Sequence, residues 1–151
     1  MRPSHTCKQS GFAWLTMPAE LSSLEPLLEF VVKGARGAEL PDGQLGKVEL
    51  VVEEVVVNVM RYAYPPGSPG SIEVGYRTEA PGSLCVQVRD SGQAFDPLSR
   101  EDVDLNLGLD DRPVGQLGLF LVKRFTSSLS YQRADGMNIL TFHLDADPKL
   151  A

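Results

Sequence analysis

Two polar residues interrupt an apolar helical pattern near the middle of the chain. Glu54 and Asn58 are four residues apart, with Arg61 further along, in a stretch otherwise rich in valine. On a helix this spacing places both side chains on one face. The carboxylate could act as a general base, and the amide oxygen could bind Mg²⁺, which prefers oxygen ligands. The same residues, next to Glu53, would also fit the solvated face of an amphipathic helix.

A second group of polar residues, Asp90, Ser91 and Gly92, ends an apolar strand. Asp90 has the same strand parity as Val86 and Val88, so its side chain is predicted to face the core. A carboxylate in that position needs a hydrogen-bond partner. It could form a turn with the next residues, since Asp, Ser and Gly all favour turns. Alternatively, it could accept a hydrogen bond from an exocyclic amine such as that of adenine.

A third group consists of glycines at the start of a predicted helix. Gly115 and Gly118 lie just before and within the apolar spacing of Leu117, Leu121 and Phe125. Backbone N–H groups at a helix N-terminus bind phosphate, and glycine lets a ligand approach the backbone closely. Loop flexibility would explain the same glycines without a ligand.

Apolar periodicity predicts the elements that position these three groups of residues. In chain order they are a strand over 12–17, helices over 21–34 and 44–64, strands over 71–78 and 83–90, a helix from about 115, and strands over 128–133 and 137–144. The polar, acidic stretch 91–114 is long enough to suggest a lid. Because the order offers few βαβ crossovers, we expect an α+β fold. It would be a two-layer sandwich, with a mainly antiparallel mixed sheet covered on one face by three helices.

Composition narrows the class of protein. The 151 residues fit one domain, which we place at 12–145 between tails at 1–11 and 146–151. A net charge of -6 argues against direct nucleic-acid binding. No apolar run approaches the ~20 residues of a membrane span, and the N-terminus lacks a secretion signal, so we expect a cytoplasmic protein. Cys85 is expected to be a reduced thiol in the core.

In this order and at these distances, the three groups resemble the motifs of the GHKL ATPase superfamily. Residues 54–58 resemble its N box, residues 90–94 its G1 box and residues 115–122 its G2 box, and the likeness covers roughly 12–144. The family implies a Bergerat-type ATP-binding fold. A free-standing domain with a glutamate four residues before the asparagine resembles, within this superfamily, the anti-sigma-factor serine/threonine kinases of bacterial partner-switching systems.

The resemblance implies a role for each matched residue. Glu54 would accept or orient the proton of a substrate serine, and Asn58 would bind Mg²⁺ at the ATP phosphates. Asp90 would accept a hydrogen bond from the adenine amine, while Gly92 and Ala94 would let the ring approach. The phosphate-binding backbone positions would be Gly115, Leu117, Gly118 and Leu119, and residues 96–114 would form the ATP lid.

Taken as a whole, the resemblance implies an ATP- and Mg²⁺-dependent serine/threonine protein kinase. Its substrate would be a serine on an anti-sigma-factor antagonist protein, and the family also allows a sigma factor as partner and a homodimer. Ala94 stands where the family usually has a second G1 glycine, and Gln116 stands where many members have a G2 glycine. These departures favour an alternative, a non-catalytic or nucleotide-responsive binding module that sequesters a regulatory partner protein.

Overall fold

The computed structural model describes residues 11–68, 70–99 and 116–147. Its strands are β1 (Ala13–Pro18), β2 (Ser71–Ala80), β3 (Ser83–Asp90), β4 (Ser128–Ala134) and β5 (Met137–Asp145). Its α-helices are α1 (Leu24–Gly37), α2 (Leu45–Tyr62) and α3 (Gln116–Phe125). Short 3₁₀ helices at Leu21–Ser23 and Asp42–Gln44 precede α1 and α2, and a third follows β3 at Pro97–Ser99.

The strands form one sheet in the order β1-β2-β3-β5-β4, and all of its pairings are antiparallel. The predicted α+β two-layer fold is therefore confirmed, but the sheet is antiparallel throughout rather than mixed. A tight hairpin at Asp135 and Gly136, which both have positive φ as in a type I′ turn, makes β4 and β5 antiparallel. Strand β5 also pairs antiparallel with β3, so it lies between β3 and β4.

Helix α2 is the centre of the helical layer. It packs between α1 and α3 and also contacts β3. Its apolar residues over 50–60 occupy most of its circumference, which predicts burial on several sides, and the packing confirms this. The buried side chains are Leu45, Val48, Val51, Val52, Val55 and Val56, each worth roughly 1.5–3 kcal/mol of burial. None of the helices in the described ranges is long and apolar enough to cross a bilayer.

The ends of several elements differ from the predicted ones. Helix α2 ends at Tyr62 rather than at residue 64, because the residue before a proline disfavours helical backbone and Pro65 follows closely. Helix α1 runs on to Gly37 and is closed by Glu39 in a left-handed conformation. Such ends depend on local capping, which the apolar pattern does not record.

Cys85 corrects one prediction. It is fully buried, as expected, but it is disulfide-bonded rather than reduced. The residues of β3 that face the helices are Leu84, Val86 and Val88, and strand geometry turns Cys85 to the opposite face of the sheet. The sulfur therefore lies away from the helical core, and its bonding partner is outside the described residues.

Candidate functional site

A cavity lies between the helical layer and the adjoining ends of β3 and β5. Its volume is about 40 Å³, room for about three water molecules. Its apolar walls are Val55, Val59, Ala63, Val88, Phe95, Pro97, Leu98, Leu119, Val122, Leu129 and Leu140. Its polar lining consists of Asn58, Asp90, Tyr131 and Asn138. Apolar walls with a few converging polar groups are typical of a ligand site.

Asp90 ends β3 inside this cavity and is only 5% exposed. Its Oδ1 accepts hydrogen bonds from the Gly92 backbone N–H at 2.9 Å and from Asn138 Nδ2 at 2.9 Å. Its Oδ2 accepts no hydrogen bond from the residues that the structure describes. The turn interpretation is thus confirmed by the bond to Gly92. The second oxygen of the same carboxylate remains available for another donor. Because buried polar groups normally have a hydrogen-bond partner, a ligand could supply that donor.

Asn138 is a site residue to which the sequence analysis gave no role. It lies on β5 directly opposite Asp90 and is only 6% exposed. Besides its bond to Asp90, its Nδ2 donates to the Gln93 carbonyl at 2.8 Å. Its Oδ1 accepts from the Phe95 backbone N–H at 3.2 Å and from the Tyr131 hydroxyl. An asparagine with the same strand parity as Leu140, Phe142 and Leu144 was the available signal, because that parity faces the core.

Residues 91–95, which we name the G1 segment, are held against the end of α2. The Gln93 backbone N–H donates to the Ala63 carbonyl at 2.8 Å, and Gln93 Nε2 donates to the Tyr62 carbonyl at 2.6 Å. The last carbonyls of a helix have no partner within it, so the segment caps α2. On its other side, Arg133 donates to the Gly92 carbonyl at 2.8 Å.

Gly92 packs closely against the residue that follows α2. A Cβ added at Gly92 would lie 2.1 Å from the Ala63 carbonyl oxygen, so only glycine permits this packing. Neither Gly92 nor Ala94 is among the residues that line the cavity, and Ala94 is exposed. Gly92 therefore has a packing role against the end of α2, and its predicted role beside a nucleotide ring stays a prediction.

On the α2 side of the cavity, Asn58 is in the lining and Glu54 is not. Glu54 is half-buried one turn earlier on the helix, and neither side chain forms a hydrogen bond with any described residue. Burial raises the pKa of Glu54 above its ordinary value of 4.5, and the charge of Glu53 raises it further, while Arg61 opposes the shift. A raised pKa suits a carboxylate that must accept a proton.

The predicted helix start at the third motif is confirmed, because α3 begins at Gln116. Leu119 is buried and lines the cavity beside Val122. Leu117 and Gly118 lie in the first turn of α3. Gly115 and most of the predicted lid over 96–114 lie outside the described residues, as do the side chains of residues 116–118.

Residues 17–144 match the family model of the histidine kinase-like ATPase domain. The chain belongs to this family. Over 100 residues it is 34% identical to the serine/threonine-protein kinase BtrW of Bordetella bronchiseptica, an alignment that covers 66% of this chain and 70% of that relative. A kinase-like ATPase domain binds ATP, which agrees with the carboxylate and amide groups found in the cavity.

Solved structures of this family share the fold. The chain resembles the structure of the RsbU and RsbW domains of Rv1364c from Mycobacterium tuberculosis, with a TM-score of 0.61 and 15% identity. That match covers 89% of this chain but only 32% of the other, so this chain spans about a third of it. It also resembles the mycobacterial sensor histidine kinase MprB, with a TM-score of 0.53 and 19% identity, over 89% of this chain and 99% of that one.

The polar groups and apolar walls of the cavity suit an adenine ring, but its present volume does not. About 40 Å³ is less than a purine occupies. The side chains that follow the G1 segment, Phe95 and Leu98, form part of the wall. Their withdrawal would enlarge the cavity without disturbing Asp90 or Asn58, which lie on other elements.

Proposed function

We propose that this protein is an ATP- and Mg²⁺-dependent serine/threonine protein kinase. It acts as an anti-sigma-factor-type regulator by phosphorylating a serine on an antagonist protein. The observation that carries this proposal is the convergence of Asn58 and Asp90 on one apolar cavity, with Glu54 one helical turn away. The identity of 34% to a relative named as a serine/threonine-protein kinase supports the same activity.

In this proposal Asp90 recognises the base. Its Oδ1 is already occupied by two hydrogen bonds, so Oδ2 accepts from the exocyclic amine of adenine. The apolar walls, such as Val88 and Leu140, exclude water from the ring. A charge-assisted hydrogen bond in a dry site is stronger than the same bond in water, so one carboxylate can select adenine.

At the α2 side, Asn58 offers its amide oxygen to Mg²⁺. Its lack of a hydrogen-bond partner among the described residues supports this role, since a half-buried amide is normally satisfied. Asn58 would hold Mg²⁺ at the phosphates, where the ion would supply charge neutralisation for the transferring phosphoryl group. The backbone N–H groups of Gly115, Leu117, Gly118 and Leu119 are proposed to hold the phosphates at the start of α3.

Glu54 is the proposed general base. Its carboxylate accepts the proton of the substrate serine hydroxyl while the serine oxygen forms its bond to the γ-phosphorus of ATP. The bond between that phosphorus and the β–γ bridging oxygen breaks, and ADP leaves. Burial raises the pKa of Glu54, and this brings its basicity closer to working pH. Because phosphoryl transfer depends mostly on positioning and charge neutralisation, the base contributes one part of a larger effect.

Further features of the proposal follow from the resemblance of the sequence motifs to those of anti-sigma-factor kinases. The partners are an antagonist protein and a sigma factor, and the kinase is a homodimer. The location is the cytoplasm, where ATP is available. Disulfides such as the one at Cys85 are uncommon in reducing compartments, so Cys85 does not support a cytoplasmic location. The proposed location is based on the need for ATP.

The second candidate function is a binding module that sequesters a regulatory protein without phosphorylating it. The small cavity favours this candidate, because a site of about 40 Å³ must first open to accept ATP. Ala94 and Gln116, which replace the usual glycines, favour it as well.

A transfer assay separates the two functions. The purified protein is mixed with Mg²⁺, γ-radiolabelled ATP and the antagonist-type proteins of the same organism. We expect label on a serine of one antagonist with the wild-type kinase, and labelling slower by about 10²–10⁴-fold with Glu54→Gln. Glu53→Gln, the exposed neighbour, serves as the matched control and should label normally. ATP binding without transfer to any antagonist would support the binding module, and full labelling by Glu54→Gln would refute the base assignment.

A further inference from the structure

We infer that Asn138 is a positioning residue for nucleotide recognition. It holds the carboxylate of Asp90 and the G1 segment in one arrangement, which reserves Asp90 Oδ2 for the base. This inference rests on the proposed ATP site and deepens it. It concerns how this chain selects an adenine base rather than whether it transfers phosphate.

The carboxamide of Asn138 is saturated with hydrogen bonds. An amide offers two donors and an oxygen with two lone pairs. Both donors are used, by Asp90 Oδ1 and the Gln93 carbonyl, and the oxygen accepts from Phe95 N–H and the Tyr131 hydroxyl. Rotating the amide by half a turn would set an N–H group against the Phe95 N–H. The orientation is therefore fixed by its surroundings.

This fixed amide decides which oxygen of Asp90 remains available. Asp90 and Asn138 are directly opposite each other on antiparallel strands, so the sheet register sets their separation. The Asn138 Nδ2 and the Gly92 N–H both bind Oδ1. Rotation of the carboxylate would break both bonds. Because the orientation of the Asp90 carboxylate is already fixed, little reorganisation is needed when a donor such as the adenine amine binds Oδ2.

Asn138 also ties the base-recognition residue to the segment that covers the cavity. Its bonds to Gln93 and Phe95 hold the middle and far end of the G1 segment, and the Ala63 carbonyl also accepts from the Gln93 backbone N–H. Phe95 is itself part of the cavity wall. Loss of Asn138 would therefore release the carboxylate and one wall together.

The test measures base discrimination rather than affinity alone. Dissociation constants are determined for Mg-ATP and for purine riboside triphosphate, which lacks the exocyclic amine. Wild-type protein should prefer ATP by about tenfold, the value of one hydrogen bond to a charged group. Asp90→Ala should lose the preference. Asn138→Ala should reduce it to about threefold or less, while the affinity for the analogue changes little.

The ratio of the two dissociation constants is informative because partial unfolding of the protein would weaken the binding of both nucleotides equally. Gln132→Ala is the matched control, since Gln132 is an exposed amide on the neighbouring strand and should keep the full preference. If Asn138→Ala does not fold, Tyr131→Phe removes only the hydroxyl bonded to Asn138 and should reduce the preference by a smaller factor.

The possible outcomes distinguish this inference from the proposed function. Wild-type protein that binds neither nucleotide would overturn both. Wild-type protein that prefers ATP, together with Asn138→Ala and Tyr131→Phe variants that both fold and both keep the whole preference, would overturn the positioning role alone. A reduced preference in either variant, with the Gln132→Ala control unchanged, would support it.

Discussion

The two polar sides of the cavity differ in how far their hydrogen bonds are satisfied. On the strand side, Asp90 and Asn138 belong to a buried network that also holds the G1 segment. On the helix side, Asn58 and Glu54 have no hydrogen bond to any residue in the described ranges. Because polar groups in folded proteins are normally paired, the strand side is preformed. The helix side has no such network among the described residues, and in the proposed function a ligand and a substrate complete it.

This difference has a simple physical origin. Neighbouring strands fix the positions of opposing residues through their register, so Asp90 and Asn138 meet wherever the sheet forms. Residues on one helix face are placed by the helix rise alone, with no partner strand opposite them, and Glu54 and Asn58 form no hydrogen bond with each other. A site for base recognition therefore suits the sheet, and a site for metal and proton transfer suits the helix.

The largest expected effect is on phosphoryl transfer and comes from the helix side of the cavity, whose polar groups have no hydrogen bonds to described residues. Glu54→Gln should reduce phosphoryl transfer by about 10²–10⁴-fold, the usual contribution of a general base. It should leave Mg-ATP affinity nearly unchanged, since Asp90 and Asn58 are intact. Single-turnover transfer and equilibrium binding check the two parts. A normal rate of phosphoryl transfer in this variant would show that Glu54 is not the general base.

The same variant should also be more stable at neutral pH. The folded-state pKa of Glu54 is raised, so its contribution to stability is present below 4.5, its ordinary pKa, and is lost as the pH rises through the folded value. Glutamine cannot ionise and avoids that loss. Urea unfolding at neutral and acidic pH measures it, and a variant less stable than wild type at neutral pH would contradict the shift.

The next effect concerns the preformed side and is one of stability. Gly92→Ala should cost about 2 kcal/mol or more, because the new methyl group would meet the Ala63 carbonyl. Gly46→Ala, within α2, is the matched control, since a Cβ there meets nothing within 4 Å. It should be neutral or stabilising by up to about 1 kcal/mol. Equal stability of the two variants would show that the G1 segment is not packed as described.

A smaller effect should appear in the pH dependence of transfer. The rate should fall on acidification as Glu54 protonates, at a pH above that of an ordinary glutamate. Glu53→Gln removes a charge that raises the pKa of Glu54, so this fall should move to lower pH while the maximal rate is kept. Arg61→Gln should move it to higher pH. An unchanged pH profile in both variants would show that the protonation of Glu54 does not control the transfer rate.

The smallest effect should come from the cavity wall. Leu98→Ala shortens a side chain that lines the cavity after the G1 segment. Because ATP must displace this wall, the variant should bind Mg-ATP about two- to fivefold more tightly, a change of less than about 1 kcal/mol. Stopped-flow binding of a fluorescent ATP analogue measures the association rate. Weaker binding would mean that Leu98 contacts the nucleotide instead of excluding it.

The sequence predicted most of the elements and half of the site. Strong periodicity located α2 and the strands, and spacing on single elements identified Glu54, Asn58 and Asp90 as candidates. Asn138 was given no role because its contact with Asp90 depends on β5 lying beside β3. The order of strands in the sheet cannot be read from the apolar pattern of the sequence. The packing role of Gly92 was missed for the same reason, since its neighbour Ala63 belongs to another element.

The most direct test of the account is calorimetric titration of Mg-ATP into wild-type protein and the Asp90→Asn variant. The variant keeps the size of the side chain but presents an amide where the account requires a carboxylate. We expect saturable binding to wild type, and binding weaker by about tenfold to a hundredfold in the variant. Equal affinities, or no binding to wild type at millimolar ATP, would contradict the proposal that this cavity recognises adenine.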